Sequence, residues 1–232
     1  GDLNDLQRHF RDMAAYADKM VGQIVKQLAD SGVRDDTLLI FTGDNGTDKP
    51  IVTPWNGTKV VGGKGTMTDM GTRVPMIASW PEGIDKPGRV TDDLVEFVDV
   101  MPTLCEVIGG KLPEDYPGDG SSIASILKNN AKARKKDWIY IWYRGQVMVR
   151  DKRYSLVAKT DGTNATLTRY QGPFDGKKLA DSELTKKERM IKDQLASTLS
   201  KLAKARLTSV DKEMWSQAED RKQPKNRKKK KK

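Results

Sequence analysis

Cysteine and histidine are almost missing from this chain of 232 residues, which has one of each, Cys105 and His9. A single cysteine excludes an internal disulfide framework and a cysteine-rich zinc site. A single histidine, in the middle of the first predicted helix and near its surface, leaves no Ser-His-Asp set to assemble. Hydrophobic residues are scarce at 36%, and no apolar run approaches the roughly eighteen residues of a membrane-crossing helix, so nothing in the sequence spans a membrane. An N-terminal methionine and a signal peptide are also absent before the first helix. The chain therefore reads as a piece that starts partway through a longer protein.

Positive charge is plentiful but uneven. The formal net charge is +10, yet residues 221–232 hold nine Lys or Arg and no acid, leaving about +1 for residues 1–220. A basic domain would point to nucleic acid, whereas a basic tail on a neutral body reads as solvated and expected to be disordered, with polyanion binding as the other reading.

Apolar residues at three- and four-residue spacing (Leu6, Phe10, Met13, Ala17, Ile24, Leu28) predict a helix over 4–30, with Asn4 or Asp5 as N-cap and Ser31-Gly32 as its end. Thr37–Thr42 alternates little and is expected to be a strand buried on both faces. Segment 43–73 reads as a long functional loop, Val74–Trp80 as a second buried strand, and 94–108 as a short helix with Pro102 in its first turn and Gly109-Gly110 at its end. Ser121–Lys128 reads as another short helix. From Asp137 the chain turns to short aromatic and β-branched runs, Trp138–Tyr143, Gln146–Arg150, Arg153–Lys159 and Ala165–Tyr170, separated by turn residues. This pattern predicts an antiparallel meander, followed by an amphipathic helix over Glu183–Arg206. There is no internal repeat.

Chemistry concentrates in Leu38–Pro75. The apolar run stops at Gly43, and Asp44, Asn45 and Gly46 follow at once. Ligands bind at the carboxyl ends of strands in open α/β sheets, and Asp44 and Asn45 offer the oxygen donors that Ca²⁺ or Mg²⁺ prefers. The same three residues also make a good turn, so the spacing leaves both readings open. Lys64, between Gly63 and Gly65, either presents its ammonium to a sulfate or phosphate or is a solvated lysine in a flexible turn. The segment has no GxxxxGK[ST] spacing and is not a Walker A loop. Cys105, beside Leu104, reads as a buried small hydrophobe, Asp99 as a helix cap, and Arg73 as a loop anchor.

Taken in order, Tyr16-Ala17-Asp18-Lys19-Met20-Val21-Gly22, Asp36 to Gly46, Gly63-Lys64-Gly65-Thr66 through Gly71-Thr72-Arg73-Val74-Pro75, and Val98 to Leu104 resemble the C-terminal half of the sulfatase (arylsulfatase) family of the alkaline phosphatase-like superfamily. The resemblance covers roughly residues 10–205. It implies an α/β fold, an alkaline phosphatase-like sandwich of which residues 1–136 are the C-terminal part of the large sheet domain. Residues 137–210 would form a small antiparallel subdomain with a terminal helix, and 211–232 a basic tail. It also implies that Asp44 and Asn45 help to hold Ca²⁺ and that Lys64 contacts the sulfate of a sulfate ester, a sulfated small molecule or polysaccharide. The nucleophile of that family is a formylglycine made in a Cys/Ser-x-Pro-x-Arg motif upstream. Cys105 is followed by Glu106-Val107-Ile108 and cannot be that residue. One mild departure is Asp69-Met70-Gly71 where relatives often carry Glu-Gly-Gly or Asp-Ala-Gly. This chain alone is expected to be catalytically inert, and the whole protein to be periplasmic or secreted. The rival readings are a phosphate- or phosphonate-ester hydrolase of the same superfamily and a non-catalytic polyanion-binding fragment.

Overall fold

In a computed structural model, residues 3–116, 118–129 and 136–204 are described. Helix α1 spans Leu3–Asp30, so Asn4 and Asp5 lie inside its first turn and neither is the N-cap expected of them. Its other end is as expected. Gly32 takes a left-handed φ of +70°, the Gly32 amide donates to Ala29 and the Val33 amide to Leu28, the paired bonds of a Schellman ending.

Strand β1 (Leu39–Thr42) pairs antiparallel with β4 (Met76–Ser79), Leu39 facing Ser79 and Thr42 facing Met76. The expectation of burial on both faces is not met. Phe41 is 39% exposed and Ile77 59%, because among the described residues these two strands pair only with each other and little packs over them. The long loop of the sequence reading also contains regular structure. Strands β2 (Val52–Trp55) and β3 (Thr58–Val61) form a hairpin closed by Asn56 and Gly57, both at positive φ, the geometry that suits a two-residue turn between twisted strands. One helical turn, α2 (Asp69–Thr72), follows.

Helix α3 (Val100–Val107) carries Pro102 in its first turn, and Gly109 follows its end at φ +71°. Asp99 does not cap α3 through its side chain, contrary to expectation. Its carboxylate accepts from the Glu96 and Ser121 amides and pairs with Lys136, closing the short 3-10 turn Phe97–Asp99. Cys105 is half-buried rather than buried. The helix expected over Ser121–Lys128 shortens to α4, Ala124–Leu127.

The C-terminal meander has five strands, one more than its apolar runs suggest: β5 (Ile139–Tyr143), β6 (Gln146–Arg150), β7 (Tyr154–Lys159), β8 (Thr166–Arg169) and β9 (Lys177–Leu179), each antiparallel to the next. Helix α5 (Lys186–Lys204) packs on one face. Val147, Val149, Leu156, Leu167, Leu195 and Leu199 form the core between them. Because side chains alternate across a strand, Met148 and Arg150 of β6 point to the other face, and both are buried there. Helix α5 starts later than Glu183 because Thr185 and Glu188 make a reciprocal capping box. The Glu188 amide donates to Thr185 Oγ1, and the Thr185 amide to Glu188 Oε2. The C-terminal end of the expected helix and the basic tail lie outside the described residues.

Candidate functional site

The site is built where two glycine-bearing loops meet. Beyond β1 the chain turns through Gly43-Asp44-Asn45-Gly46, and the Gly46 amide donates to the Gly71 carbonyl at 3.0 Å. A Cβ on Gly46 would collide with the Met70 carbonyl, so glycine is what lets the turn lie against α2. The Lys64 amide then donates to the Thr47 carbonyl at 3.0 Å. Lys64 is thereby fixed, through its own backbone, within a few residues of Asp44 and Asn45. Thr66 Oγ1 donates to Gly63 O at 2.7 Å and shares a 2.8 Å bond with Thr68 Oγ1, which stiffens the loop between Lys64 and α2.

The three side chains singled out in the sequence thus emerge from loops bonded to each other. Asp44 and Lys64 are exposed, and Asn45 is half-buried at the edge of an open cleft of about 2250 Å³. Among the described residues, none of the three has a side-chain hydrogen bond or ion pair. The turn reading of Asp44-Asn45 and the ligand reading are therefore compatible: the backbone makes the turn, and the oxygens remain available. The other sequence candidates fall elsewhere. His9 is exposed on α1. Arg73 lines the cleft with an exposed side chain, its amide donates to Asp69 O, and among the described residues its guanidinium makes no hydrogen bond or ion pair.

The sequence reading missed contributions from the C-terminal sheet. Tyr143, at the end of β5, lies over Gly65, and the Arg144 guanidinium stacks 5.0 Å from the Tyr143 ring centroid. Asp69 is 1% exposed and ion-pairs with Arg150 Nη1, and its Oδ2 accepts from the Phe174 amide. Burial pulls the Arg150 guanidinium below its usual pKa, while Tyr170, Asp151 and Asp175 push it back. A charged residue at the end of the apolar run of β6 was the one available signal, since it falls on the face opposite the helix.

Comparison with known proteins assigns the family. A model described as "N-sulphoglucosamine sulphohydrolase, C-terminal" matches residues 61–212, about two thirds of the chain, and one described as "Sulfatase" matches residues 6–110. The chain belongs to the sulfatase family. It is 34% identical over 143 residues to an ulvan-active sulfatase of Formosa agariphila, covering 57% of this chain and 25% of that protein. It is 32% identical over 160 residues to human arylsulfatase A, covering 66% of this chain and 31% of that protein. Among solved structures, a 2-O GAG sulfatase superposes with a TM-score of 0.62 at 22% identity, over 81% of this chain and 40% of that one. A phosphonate monoester hydrolase from Silicibacter pomeroyi superposes with a TM-score of 0.57 at 22% identity, over 82% and 38%. The fold is alkaline phosphatase-like. The chain spans about a quarter of the ulvan-active sulfatase and about 40% of the GAG sulfatase structure.

Proposed function

We propose that the whole protein is a sulfuric-ester hydrolase acting on a sulfated saccharide, with Asp44 and Asn45 on a Ca²⁺ ion and Lys64 on the sulfate. The observation that supports this reading is the Lys64–Thr47 backbone bond, which brings the Lys64 loop against the turn carrying Asp44 and Asn45, while none of the three side chains has a hydrogen-bond or ion-pair partner among the described residues. A carboxylate and an amide oxygen suit a hard cation, which takes about six to eight oxygens. No group of three or more His, Cys, Asp or Glu that could hold a metal occurs among the described residues, so further ligands come from other segments in this reading. When bound, the cation would offset negative charge on the sulfate oxygens. Lys64 does the complementary work as a compact cation that donates hydrogen bonds to the group being transferred and stabilises its charge. The nucleophile, a formylglycine, belongs to a segment this chain does not contain. The saccharide class is supported by relatives named as ulvan-active and GAG sulfatases and by a neighbour solved with D-glucosamine-2-N,6-O-disulfate.

The test is sulfate release from sulfated disaccharides by the full-length protein, with and without a chelator. Activity that falls with chelation and returns with Ca²⁺ is expected, and Lys64→Ala is expected to lower kcat/KM by roughly 10²–10³-fold. The 232-residue chain by itself is expected to release none. Turnover of a phosphonate ester but of no sulfate ester, with Zn²⁺ or Mn²⁺ as the restoring ion, moves the assignment to the phosphonate-hydrolase branch of the fold.

A further inference from the structure

The buried Asp69–Arg150 pair lies at the downstream end of the Lys64 loop, and the sulfatase reading gives it no role. Asp69 is 1% and Arg150 6% exposed. Asp69 Oδ2 accepts from the Phe174 amide at 3.2 Å, across 105 residues of chain. Its Oδ1 meets Arg150 Nη1 as an ion pair without an aligned hydrogen bond. Arg150 in turn lies over the Tyr170 ring, 3.9 Å from guanidinium carbon to ring centroid, and the Tyr170 hydroxyl bonds Ser155 Oγ at 3.2 Å. Phe174 makes a second contact, edge to face with Trp55 of the β2–β3 hairpin at 5.8 Å between centroids. The segment after β8 therefore holds both flanks of the Lys64 loop, its hairpin at Trp55 and its helical turn at Asp69.

We infer that Asp69 and Arg150 are positioning residues for Lys64, and that the C-terminal sheet serves the site by holding this loop in place. The inference rests on the sulfatase reading for what Lys64 does, while the mechanical link stands on the contacts above. A loop with glycines at 62, 63 and 65 has many backbone states open to it, and a charge that stabilises a transition state works only from a fixed position. Buried ion pairs add little net stability compared with apolar packing of the same volume. Two buried charges placed at the root of a catalytic loop are thus better explained by geometry than by stability. The link is also short: the Asp69 carbonyl receives the Arg73 amide, the Thr68 carbonyl receives both the Gly71 amide and the Thr72 hydroxyl, and Thr68 Oγ1 meets Thr66, two residues from Lys64.

A double-mutant cycle in the full-length protein tests this. Asp69→Asn is expected to lower kcat/KM about 10–100-fold, the cost of misplacing a reacting contact, and Arg150→Lys to lower it less, since it keeps the charge but loses the guanidinium contact over the Tyr170 ring. In a Lys64→Ala background the same substitutions should cost less than about twofold, because residues acting through one group are not additive. An equal loss in both backgrounds overturns the proposal. Hydrogen exchange of the full-length protein gives a readout without turnover. Asp69→Asn should speed exchange of the Lys64 and Thr66 amides and leave the β6–β7 ladder unchanged. Where Asp69→Asn does not fold, Arg150→Lys carries the same measurement. Absence of sulfate release by the wild type with faster loop exchange in the variant removes the sulfatase reading and keeps the pin. Loop exchange that stays unchanged, or speeds up together with the whole sheet, removes the pin.

Discussion

At the scale of single residues, two clusters of buried charge among the described residues join the N-terminal and C-terminal parts of this protein. One is the Asp69–Arg150 pair. In the other, Lys136 Nζ lies between Glu96 at 2.5 Å and Asp99 at 2.7 Å, and Glu96 Oε1 accepts from the Tyr140 amide. Burial pushes the Glu96 carboxyl above its usual range, with Lys136 pulling it back only in part. A carboxyl whose pKa rises on folding contributes stability that is complete below its unfolded value and is lost as pH climbs through the folded value. Glu96→Gln keeps an acceptor for Tyr140 and never ionises. Its stability relative to wild type should therefore improve as pH rises above the usual carboxylate range. Urea midpoints of the two proteins over that rise in pH check this, and a difference that is flat or falls with pH contradicts it.

Among the elements, local sequence set the starts and stops well where a cap or turn residue is chemically specific. Gly32 ends α1 and Asn56-Gly57 closes the β2–β3 hairpin, each through a positive φ. Thr185 and Glu188 fix the start of α5 through the reciprocal bonds described above. The Glu188 carboxyl is lowered in pKa by the Thr185 hydroxyl first, with Arg169 adding to it. Its contribution is then present above the unfolded value and lost as pH falls through the folded one. Thr185→Ala should lower the melting temperature by about 2–4 °C at neutral pH, and by less in acid, where Glu188 is protonated. Calorimetry at both pH values measures it, and an equal shift in acid would deny Glu188 its part in the cap. The hairpin between the Asp44 and Lys64 segments showed only in its Asn56-Gly57 turn, because Val52–Trp55 and Thr58–Val61 are too short to show a period and Pro54 interrupts the first of them.

For the whole molecule, polarity is divided sharply along the chain. Among the described residues, every large exposed apolar side chain except Met190 lies at or before Ile108, including Met13, Tyr16, Ile24, Phe41, Ile77 and Phe97. The meander, by contrast, has its own core under α5. Exposed apolar side chains concentrated in one part of a chain suit an interaction face, and here they accompany a chain that spans only part of its relatives' length. The 232-residue chain alone should bind an environment-sensitive hydrophobic dye and self-associate at micromolar concentration. Full-length protein should do neither. Equal dye binding by both would mean that the face stays open in the whole protein.

What the sequence determined by itself is the order of chemical segments. A strand ending in Gly43-Asp44-Asn45-Gly46, a glycine-flanked Lys64, Arg73-Val74-Pro75 and the Asp99–Pro102 stretch are local patterns, and local patterns survive without knowledge of the fold. The antiparallel character of 138–170 and the two long helices were readable for the same reason, since side-chain periodicity is a property of neighbouring residues. Tertiary structure alone decided which distant residues meet. The Phe174 amide reaches Asp69 across 105 residues, Arg150 turns away from α5 to meet it, and β1 is left half-exposed with β4 as its one described partner. Burial and long-range ion pairing depend on what packs against a residue from far along the chain, and no short stretch of sequence carries that information.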